Sequence, residues 1–100
     1  MPERPLLQLH LSPAAEDDLI EIWAYISDDS AKAATAFVKR IEAKFEPLLS
    51  FPAIGTARDQ LSPGLRVVPY KDYCIYYTYD DATVTIVRVV HGARDVRTMF

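Results

Sequence analysis

The residues best suited to chemistry lie close together near the carboxyl end of the chain. The run His91-Gly92-Ala93-Arg94-Asp95 follows a stretch rich in Val, with Arg88 just before it and Arg97 just after it. An imidazole can transfer a proton near neutral pH, and guanidinium groups can hold a phosphate or a carboxylate. His91 and Arg94 therefore offer an acid and a cation, but the general base that proton abstraction requires is missing. An alternative is that His91 ends a strand and hydrogen-bonds the turn that follows it.

The charges of the chain are unevenly distributed. The formal net charge is -3, which argues against a dedicated nucleic-acid-binding protein, because such proteins neutralise phosphates with cations. Residues 1–50 hold five Lys/Arg and nine Asp/Glu, giving -4, whereas residues 51–100 hold six and five, giving +1. We therefore expect a local cationic patch, formed late in the chain, on an acidic molecule.

Other sites with recognisable motifs are missing from the sequence. Three glycines form no phosphate-binding loop, and the sequence has no zinc signature, nucleophile elbow or paired His motif. Cys74 is the single cysteine and lies within a strand pattern, so we interpret it as a small buried apolar residue. The acidic residues Glu16, Asp17, Asp18 and Glu21 are interpreted as a solvated helix face. No metal, cofactor or catalytic residue is expected.

The candidate site must be positioned by a sheet in the second half of the chain. Residues 65–91 are rich in Val, Ile, Thr and Tyr, and two polar interruptions divide them into three antiparallel strands. Tyr73, Tyr77 and Tyr79 should share one sheet face, with Tyr76 on the other. Strict alternation also places Arg88 on one apolar face with Val84, Ile86 and Val90, where it reaches past the sheet edge or pairs with a carboxylate.

The first half of the chain predicts a strand and two helices. Residues 6–11 alternate as a strand, with Leu7, Leu9 and Leu11 on one face and His10 on the other. A helix begins at Ser12-Pro13, and a second runs from about Ala31 to a kink or break at Pro47. Their buried stripes are Ala15, Leu19, Ile22 and Ile26 on the first, and Ala34, Phe37, Ile41, Phe45 and Leu48 on the second.

These elements predict one domain, residues 1–100, with an α+β fold. The order is β-α-α-β-β-β, with the helix hairpin packed on one face of a small, mainly antiparallel sheet. Residues 50–64 are expected to form an irregular loop because of their prolines and glycines. No membrane span is predicted, and no apolar segment typical of a signal peptide follows Met1–Pro5, so we expect a cytoplasmic protein.

Three apolar residues lie outside the predicted buried stripes. Ile20 and Trp23 belong to the first helix and Val38 to the second. Exposed together they would form a sticky patch, which suits the docking of a partner helix or tail. The alternative is that Trp23 packs at the core edge against Leu11 or the loop at Phe51.

Several segments, taken in order, resemble the RelE/ParE toxin superfamily from about Leu9 to Val96. They are Ser12–Trp23; Ala33-Ala34 with Phe37, Ile41 and Leu49; Phe51–Gly55; Arg66; the strand from Tyr70 to Tyr79; and His91–Asp95. The ending His91-Gly92-Ala93-Arg94-Asp95 is similar to the ParE branch. The resemblance implies the toxin of a bacterial type II toxin–antitoxin pair.

Two functional classes follow from this resemblance. ParE-like toxins act on DNA gyrase and block replication without cutting RNA, whereas RelE-like toxins cut mRNA in the ribosome. RelE-like members resemble one another in a basic loop and a late Arg with a Tyr near the carboxyl end. Here Arg58 is the only basic residue within residues 50–65, and no Tyr follows Tyr79. The gyrase inhibitor is favoured over the ribosome-dependent mRNA endoribonuclease; a third alternative is a domain that has lost toxicity and survives as a binding module.

The resemblance also suggests partners and binding residues. The gyrase-contacting set is Arg58, Arg88, His91, Arg94 and Arg97. The second partner is a cognate ParD-like antitoxin with a DNA-binding amino-terminal part and a flexible carboxyl-terminal part. We expect that flexible part on Ile20, Trp23 and Val38, and operator DNA to be contacted only through the antitoxin.

Overall fold

The structure, a computed structural model that describes residues 6–100, has two main helices packed on one mixed sheet. The first five residues, part of the predicted domain and of the signal-peptide expectation, lie outside the described residues. The elements in chain order are β1 (Gln8–Leu11), α1 (Pro13–Ser27), α2 (Ala31–Ala43), α3 (Glu46–Ser50), a 3-10 turn (Pro52–Ile54), β2 (Thr56–Ala57), β3 (Arg66–Tyr70), β4 (Tyr73–Tyr79) and β5 (Thr83–His91). The predicted α+β fold is confirmed, with α3 and β2 as additions.

The sheet has the strand order β1-β5-β4-β3-β2. Strand β1 runs parallel to β5, with Leu11 opposite Ile86, and the other neighbouring strands are antiparallel. Strand β2 pairs with β3 only at Arg66 and Val67, so β3 has a single strand neighbour at Pro69. A proline is tolerated there because it lacks the N–H that an inner ladder position needs.

Cap residues and a proline set the helix boundaries. The Ser12 hydroxyl accepts a hydrogen bond from the Ala15 N–H (3.0 Å), and the Ser30 hydroxyl accepts one from the Ala33 N–H (3.1 Å). Helix α2 ends at Ala43 and α3 begins at Glu46. The break predicted at Pro47 is therefore confirmed. None of the helices within residues 6–100 combines the length and apolar character needed to cross a membrane.

The main core lies between the helices and one face of the sheet. The predicted stripe of α1 is buried at Ala15, Leu19 and Ile22, and Ile26 packs at its edge. The second stripe continues from α2 into the residues after it. The remaining buried members of this core are Ile41, Phe45, Leu48, Ile75, Tyr77, Val84, Ile86 and Val89.

A second core covers the opposite face of the sheet. Tyr76 and Val90 are buried there with Leu65 and Val67, and the carboxyl-terminal segment packs against them. The rings of Tyr76 and Phe100 lie 5.0 Å apart between centroids. The end of the chain thus covers a face that the sequence reasoning left open.

Strand β5 contains a bulge that changes which side chains face the helices. Tyr76 lies opposite Arg88 but Tyr77 lies opposite Ile86, so Val87 has no partner on β4. Beyond this point Val89 faces the helices, and Val90 belongs to the second core. The expectation that Arg88 shares one face with Val84, Ile86 and Val90 is therefore wrong, because it assumed unbroken alternation.

The segment from residue 50 to 64 is more ordered than predicted. The buried Tyr77 hydroxyl donates to the Pro52 carbonyl (2.7 Å) and accepts from the Gly55 N–H (2.8 Å). Arg66 donates through Nη1 to the Gly55 carbonyl at 2.7 Å. A Cβ on Gly55 would lie 2.6 Å from the Tyr77 hydroxyl oxygen, so only glycine fits. The prediction of an irregular loop is therefore wrong for residues 52–57, where these distant side chains hold a 3-10 turn and β2 in place, and it is confirmed for residues 58–64.

Candidate functional site

A small cleft of about 170 Å³ lies between α1 and the end of β5. It is lined by Asp18, Glu21, Ile22, Tyr25, Tyr73, Val89, Val90, His91 and Arg94. It forms where β5 extends beyond β1, whose last paired residue is Leu11. Helix α1 therefore lies beside this part of β5 in place of a strand.

His91 lies at the mouth of the cleft, where β5 ends. Its ring meets Tyr73 edge-on, with centroids 5.4 Å apart. Its Nδ1 accepts a hydrogen bond from the Ala93 N–H at 3.1 Å, so the alternative that His91 bonds the following turn is confirmed. Because Nδ1 acts as an acceptor, the neutral ring carries its proton on Nε2, which remains available as a donor.

The turn after β5 brings Arg94 to the same cleft. Its N–H donates to the His91 carbonyl at 3.0 Å, and the Gly92 N–H donates to the Asp72 carbonyl at 2.7 Å. The hairpin turn between β3 and β4 thus supports the turn that carries Arg94. The exposed side chains of Arg94 and His91 are held next to each other by backbone contacts.

Arg88 is engaged in an ion pair with α1. Its Nε and Nη2 donate to the two carboxylate oxygens of Asp18, both at 2.8 Å, and the Val89 N–H adds a third bond at 2.9 Å. Asp18 is only 4% exposed, so its interpretation as part of a solvated helix face is wrong. Hydrogen bonding to Asp18 raises the pKa of Arg88 against the opposing effect of burial. Of the two alternatives for Arg88, pairing with a carboxylate is the one observed.

Tyr73 can act in the cleft as a hydrogen-bond donor but not as a base. Burial is the main cause that raises the pKa of its hydroxyl, with added contributions from Tyr25 and Asp72. A phenol with a pKa above its ordinary value of 10.0 stays protonated at neutral pH. It can therefore support a bound partner through hydrogen bonding.

Three of the five predicted target-binding residues do not line the cleft, namely Arg88 behind it, Arg97 and Arg58. Arg97 pairs with Asp95 through Nη2 at 2.8 Å, and both side chains are largely exposed. Arg58 follows β2 at the opposite edge of the sheet, where its Nη1 bonds the Ala57 carbonyl at 3.0 Å. The structure thus brings His91 and Arg94 together, places Arg88 behind them, and leaves Arg58 apart.

Sequence reasoning missed the α1 side of this cleft. Asp18 lies three residues after Ala15 and four before Ile22, which places it on the buried stripe. An Arg inside a strand pattern was a second signal, because a buried guanidinium needs a carboxylate. No sequence pattern predicts that Glu21, Tyr25 and Tyr73 line the cleft, because their positions depend on how α1 crosses the sheet.

The apolar residues predicted as a docking patch have three different environments. Ile20 is 66% exposed, Trp23 is 39% exposed, and Val38 is half-buried against the main core. Val38 is therefore only partly exposed. The Trp23 indole N–H donates to the Thr35 hydroxyl at 3.0 Å, so Trp23 joins α1 to α2. The exposed part of this surface is Ile20 with the ring of Trp23.

Within residues 6–100, no group of three or more His, Cys, Asp or Glu side chains is arranged to hold a metal ion. The titratable groups of the cleft are two carboxylates, one imidazole, two tyrosines and Arg94, with Arg88 bound behind them. Because Arg88 neutralises Asp18, the remaining charges are those of Glu21 and Arg94, so the cleft suits a partner of mixed polarity better than a polyanion.

Comparisons with known proteins agree on one family. Residues 9–96 match the family model described as the ParE toxin of the type II toxin–antitoxin system parDE. Toxin ParE3 of Caulobacter vibrioides is 35% identical over 65 residues, which is 65% of each chain and so just under two thirds of that relative's length. Toxin ParE1 of Mycobacterium tuberculosis is 31% identical over 88 residues, covering 86% of this chain and 90% of that protein.

Solved structures show the same fold. A chain of the chromosomal ParDE system from P. aeruginosa superimposes with a TM-score of 0.74 at 19% identity, covering 86% of this chain and 96% of the other. A chain of the RelBE2 toxin–antitoxin complex from Mycobacterium tuberculosis superimposes with a TM-score of 0.63 at 22% identity, covering 87% and 99%. These likenesses concern the arrangement of helices and sheet.

Proposed function

The chain belongs to the ParE toxin family of type II toxin–antitoxin systems, and on this premise we propose that it inhibits DNA gyrase and so blocks replication. The proposed action takes place in the cytoplasm, needs no cofactor and involves no catalytic step by the toxin. A cognate antitoxin neutralises it.

The balanced charge of the cleft is the observation that favours a protein target over RNA. Asp18 and Glu21 face the same space as Arg94, and the Arg88 guanidinium is already bound by Asp18. A phosphodiester backbone would meet the Glu21 carboxylate beside Arg94, while the Asp18–Arg88 pair adds no net charge, so it would gain little from neutralisation. A protein surface can instead use Nε2 of His91 and the guanidinium of Arg94 as directed donors.

The proposed gyrase contact centres on the end of β5. His91 and Arg94 are exposed at the cleft, and Arg97 is exposed a few residues further along the chain. Arg88 contributes from behind through its ion pair, and Arg58 contacts gyrase only if the partner extends across the sheet. The contact set is therefore ordered, with Arg94 expected to contribute most.

Arg94→Ala tests the target. Purified wild-type protein should inhibit supercoiling by gyrase, and the variant should lose at least about tenfold in potency, the loss expected for a charged hydrogen bond. Arg40→Ala is the matched control, because Arg40 is an exposed arginine on α2, away from the cleft. In cells, DNA synthesis should stop while translation continues at first. Immediate translational arrest with cleaved mRNA would overturn the proposal.

A ribosome-dependent ribonuclease is the second candidate, and one observation favours it. The cleft places Glu21 near His91 and Arg94, which supplies a carboxylate that could serve as the base absent from the His91–Asp95 run. In that case Glu21→Gln would abolish mRNA cleavage. If the protein inhibits gyrase, the same variant stays toxic. The proposed contacts are donated by His91 and Arg94, and the Glu21 carboxylate is not one of these donors.

We propose that the antitoxin covers the exposed part of α1 around Ile20 and Trp23. Two large apolar side chains one helical turn apart suit an amphipathic helix or extended tail. Because the Trp23 N–H is already bonded to Thr35, the partner would contact the ring and not the nitrogen. In this proposal operator DNA is bound by the antitoxin, which fits the toxin's net charge of -3.

Trp23→Ala tests this surface through two measurements, thermal stability alone and affinity for the antitoxin. The binding free energy should become less favourable by about 2 kcal/mol if the ring is a central contact. Tyr25→Ala is the control. Tyr25 is a 78% exposed aromatic residue on the same helix, but its side chain lines the candidate cleft and lies away from the Ile20–Trp23 surface. A large loss of thermal stability with unchanged affinity would make Trp23 a core residue and remove it from the interface.

A further inference from the structure

Helix α1 holds the bulge of β5 at three consecutive residues. The Ser12 hydroxyl donates to the Val87 carbonyl at 2.7 Å, the Asp18 carboxylate binds the Arg88 side chain, and the same carboxylate accepts from the Val89 N–H. Both anchoring residues come from the first turns of α1. They lie 70 and 75 positions before Arg88 and Val87, which they bind.

These contacts replace a missing strand. The last ladder pair between β1 and β5 is Leu11 with Ile86, and the Ser12 N–H still donates to the Ile86 carbonyl at 2.9 Å. From Val87 onward, no strand among residues 6–100 pairs with β5 on this side. Without Asp18 the Val89 N–H would be a buried donor with no partner, which is unfavourable. Asp18 satisfies this donor and binds Arg88 with the same oxygen.

The segment that follows carries the candidate site. His91 lies two residues after Val89, and the turn to Arg94 is bonded to the His91 carbonyl and ring. On the β4 side the Asp72 carbonyl holds Gly92, whereas on the α1 side the last contacts are those of Asp18. Asp72 on one side and Asp18 on the other therefore fix the direction in which the chain leaves the sheet at the end of β5.

We infer that Asp18 is a positioning residue for target binding. It fixes the bulge of β5 and thereby the place and direction in which His91 and Arg94 are presented, without contacting the target itself. The inference rests on the proposed function for its consequence in gyrase inhibition, but its geometric part does not. A buried ion pair suits this role, because its directional bonds specify geometry even where its net stabilisation is small.

The test compares variants that separate positioning from folding. Asp18→Asn keeps the shape but loses the charge, and Asp17→Asn makes the same change at the neighbouring exposed carboxylate. Arg88→Lys keeps the charge but cannot bind both carboxylate oxygens at once. Asp18→Leu combined with Arg88→Met removes both charges together, so that no buried charge is left uncompensated and only the Val89 N–H loses its acceptor.

Two readouts are used, the backbone amide NMR spectrum of the free protein and inhibition of gyrase supercoiling. In the Asp18→Asn, Arg88→Lys and double variants, the amide resonances of residues 87–94 should shift while those of α2 stay in place. Potency should fall at least about tenfold, as for a lost polar contact to the target. Asp17→Asn should match the wild type in both readouts.

The double variant decides the outcome if Asp18→Asn fails to fold. A folded double variant with wild-type resonances at residues 91–94, or with wild-type potency, would overturn the inference. If the wild-type protein does not inhibit gyrase, the proposed function fails instead, and the NMR comparison still tests whether Asp18 positions His91 and Arg94.

Discussion

Two Asp–Arg pairs in this protein share the same contact distance but differ in their surroundings. Asp18–Arg88 and Asp95–Arg97 each have an N–O distance of 2.8 Å. In the first pair the side chains are 5% and 20% exposed, and in the second 60% and 82% exposed. The first joins residues 70 positions apart, whereas the second lies within one turn of the chain.

The difference shows that distance alone does not decide what an ion pair contributes. The exposed pair is screened by water and closes no long-range contact, so its contribution to stability is small. The buried pair excludes water, binds a backbone N–H as well, and links α1 to β5. Removing one member of it leaves the other charge without compensation.

The largest expected effect is that of Asp18→Ala. The free energy of unfolding should fall by about 3 kcal/mol, because Arg88 and the Val89 N–H both lose their partner. Urea unfolding followed by circular dichroism measures this change, with Asp95→Ala as the matched control for the exposed pair. Equal losses in the two variants would contradict the comparison.

Tyr77→Phe asks whether burial alone makes a polar contact important when no charge is present. The variant should lose about 2 kcal/mol of unfolding free energy, because the Pro52 carbonyl and the Gly55 N–H are left unpaired in a buried site. Thermal unfolding measures it, and Tyr79→Phe is the control at an exposed position of the same strand. A loss no larger than that of the control would show that water replaces the hydroxyl.

Raising the pH tests how burial affects the release of protons from tyrosine hydroxyls. Burial is the main cause that raises the pKa values of Tyr73, Tyr76 and Tyr77 above the ordinary value of 10.0. The unfolded chain then releases these protons first, so stability is complete below pH 10 and declines as the pH rises through the higher folded values. The decline should be smaller in Tyr77→Phe, measured as Tm against pH. An identical slope in both proteins would exclude Tyr77 as a contributor.

The smallest effect is expected for the exposed pair. Hydrogen bonding to Arg97 lowers the pKa of Asp95 below its ordinary value of 3.8. Any stabilisation is therefore present above that value and is lost as the pH falls through the lower folded pKa. Arg97→Ala should leave Tm at pH 7 unchanged, at both low and high salt. A clear salt-dependent loss would mean that the carboxyl-terminal segment depends on this pair.

The fold could largely be predicted from local patterns. Caps at Ser12 and Ser30, the apolar stripe of α1 and the alternation in the sheet are encoded within a few residues of one another. The second core was not predictable in this way. Its carboxyl-terminal residues show no period of their own, and only the position of Phe100 against Tyr76 reveals their role.

The candidate site was likewise predictable only in part. The sequence identified His91 and Arg94, because their residue types and neighbourhood are distinctive. It placed Arg58 with them, although strands β4 and β3 lie between β5 and β2, the strand that Arg58 follows. It also assigned Asp18 to solvent, since neighbouring acidic residues suggested a polar helix face.

The sequence by itself determined the order of helices and strands, the break at Pro47 and the cationic run after β5. Helix caps, side-chain period and proline geometry act over short distances, so the chain carries their information locally. Only the tertiary structure decided that Asp18 binds Arg88 and that a bulge at Val87 redirects β5. The physical reason is that a buried polar group must find a partner in space, and that partner is supplied by a segment about 70 residues away.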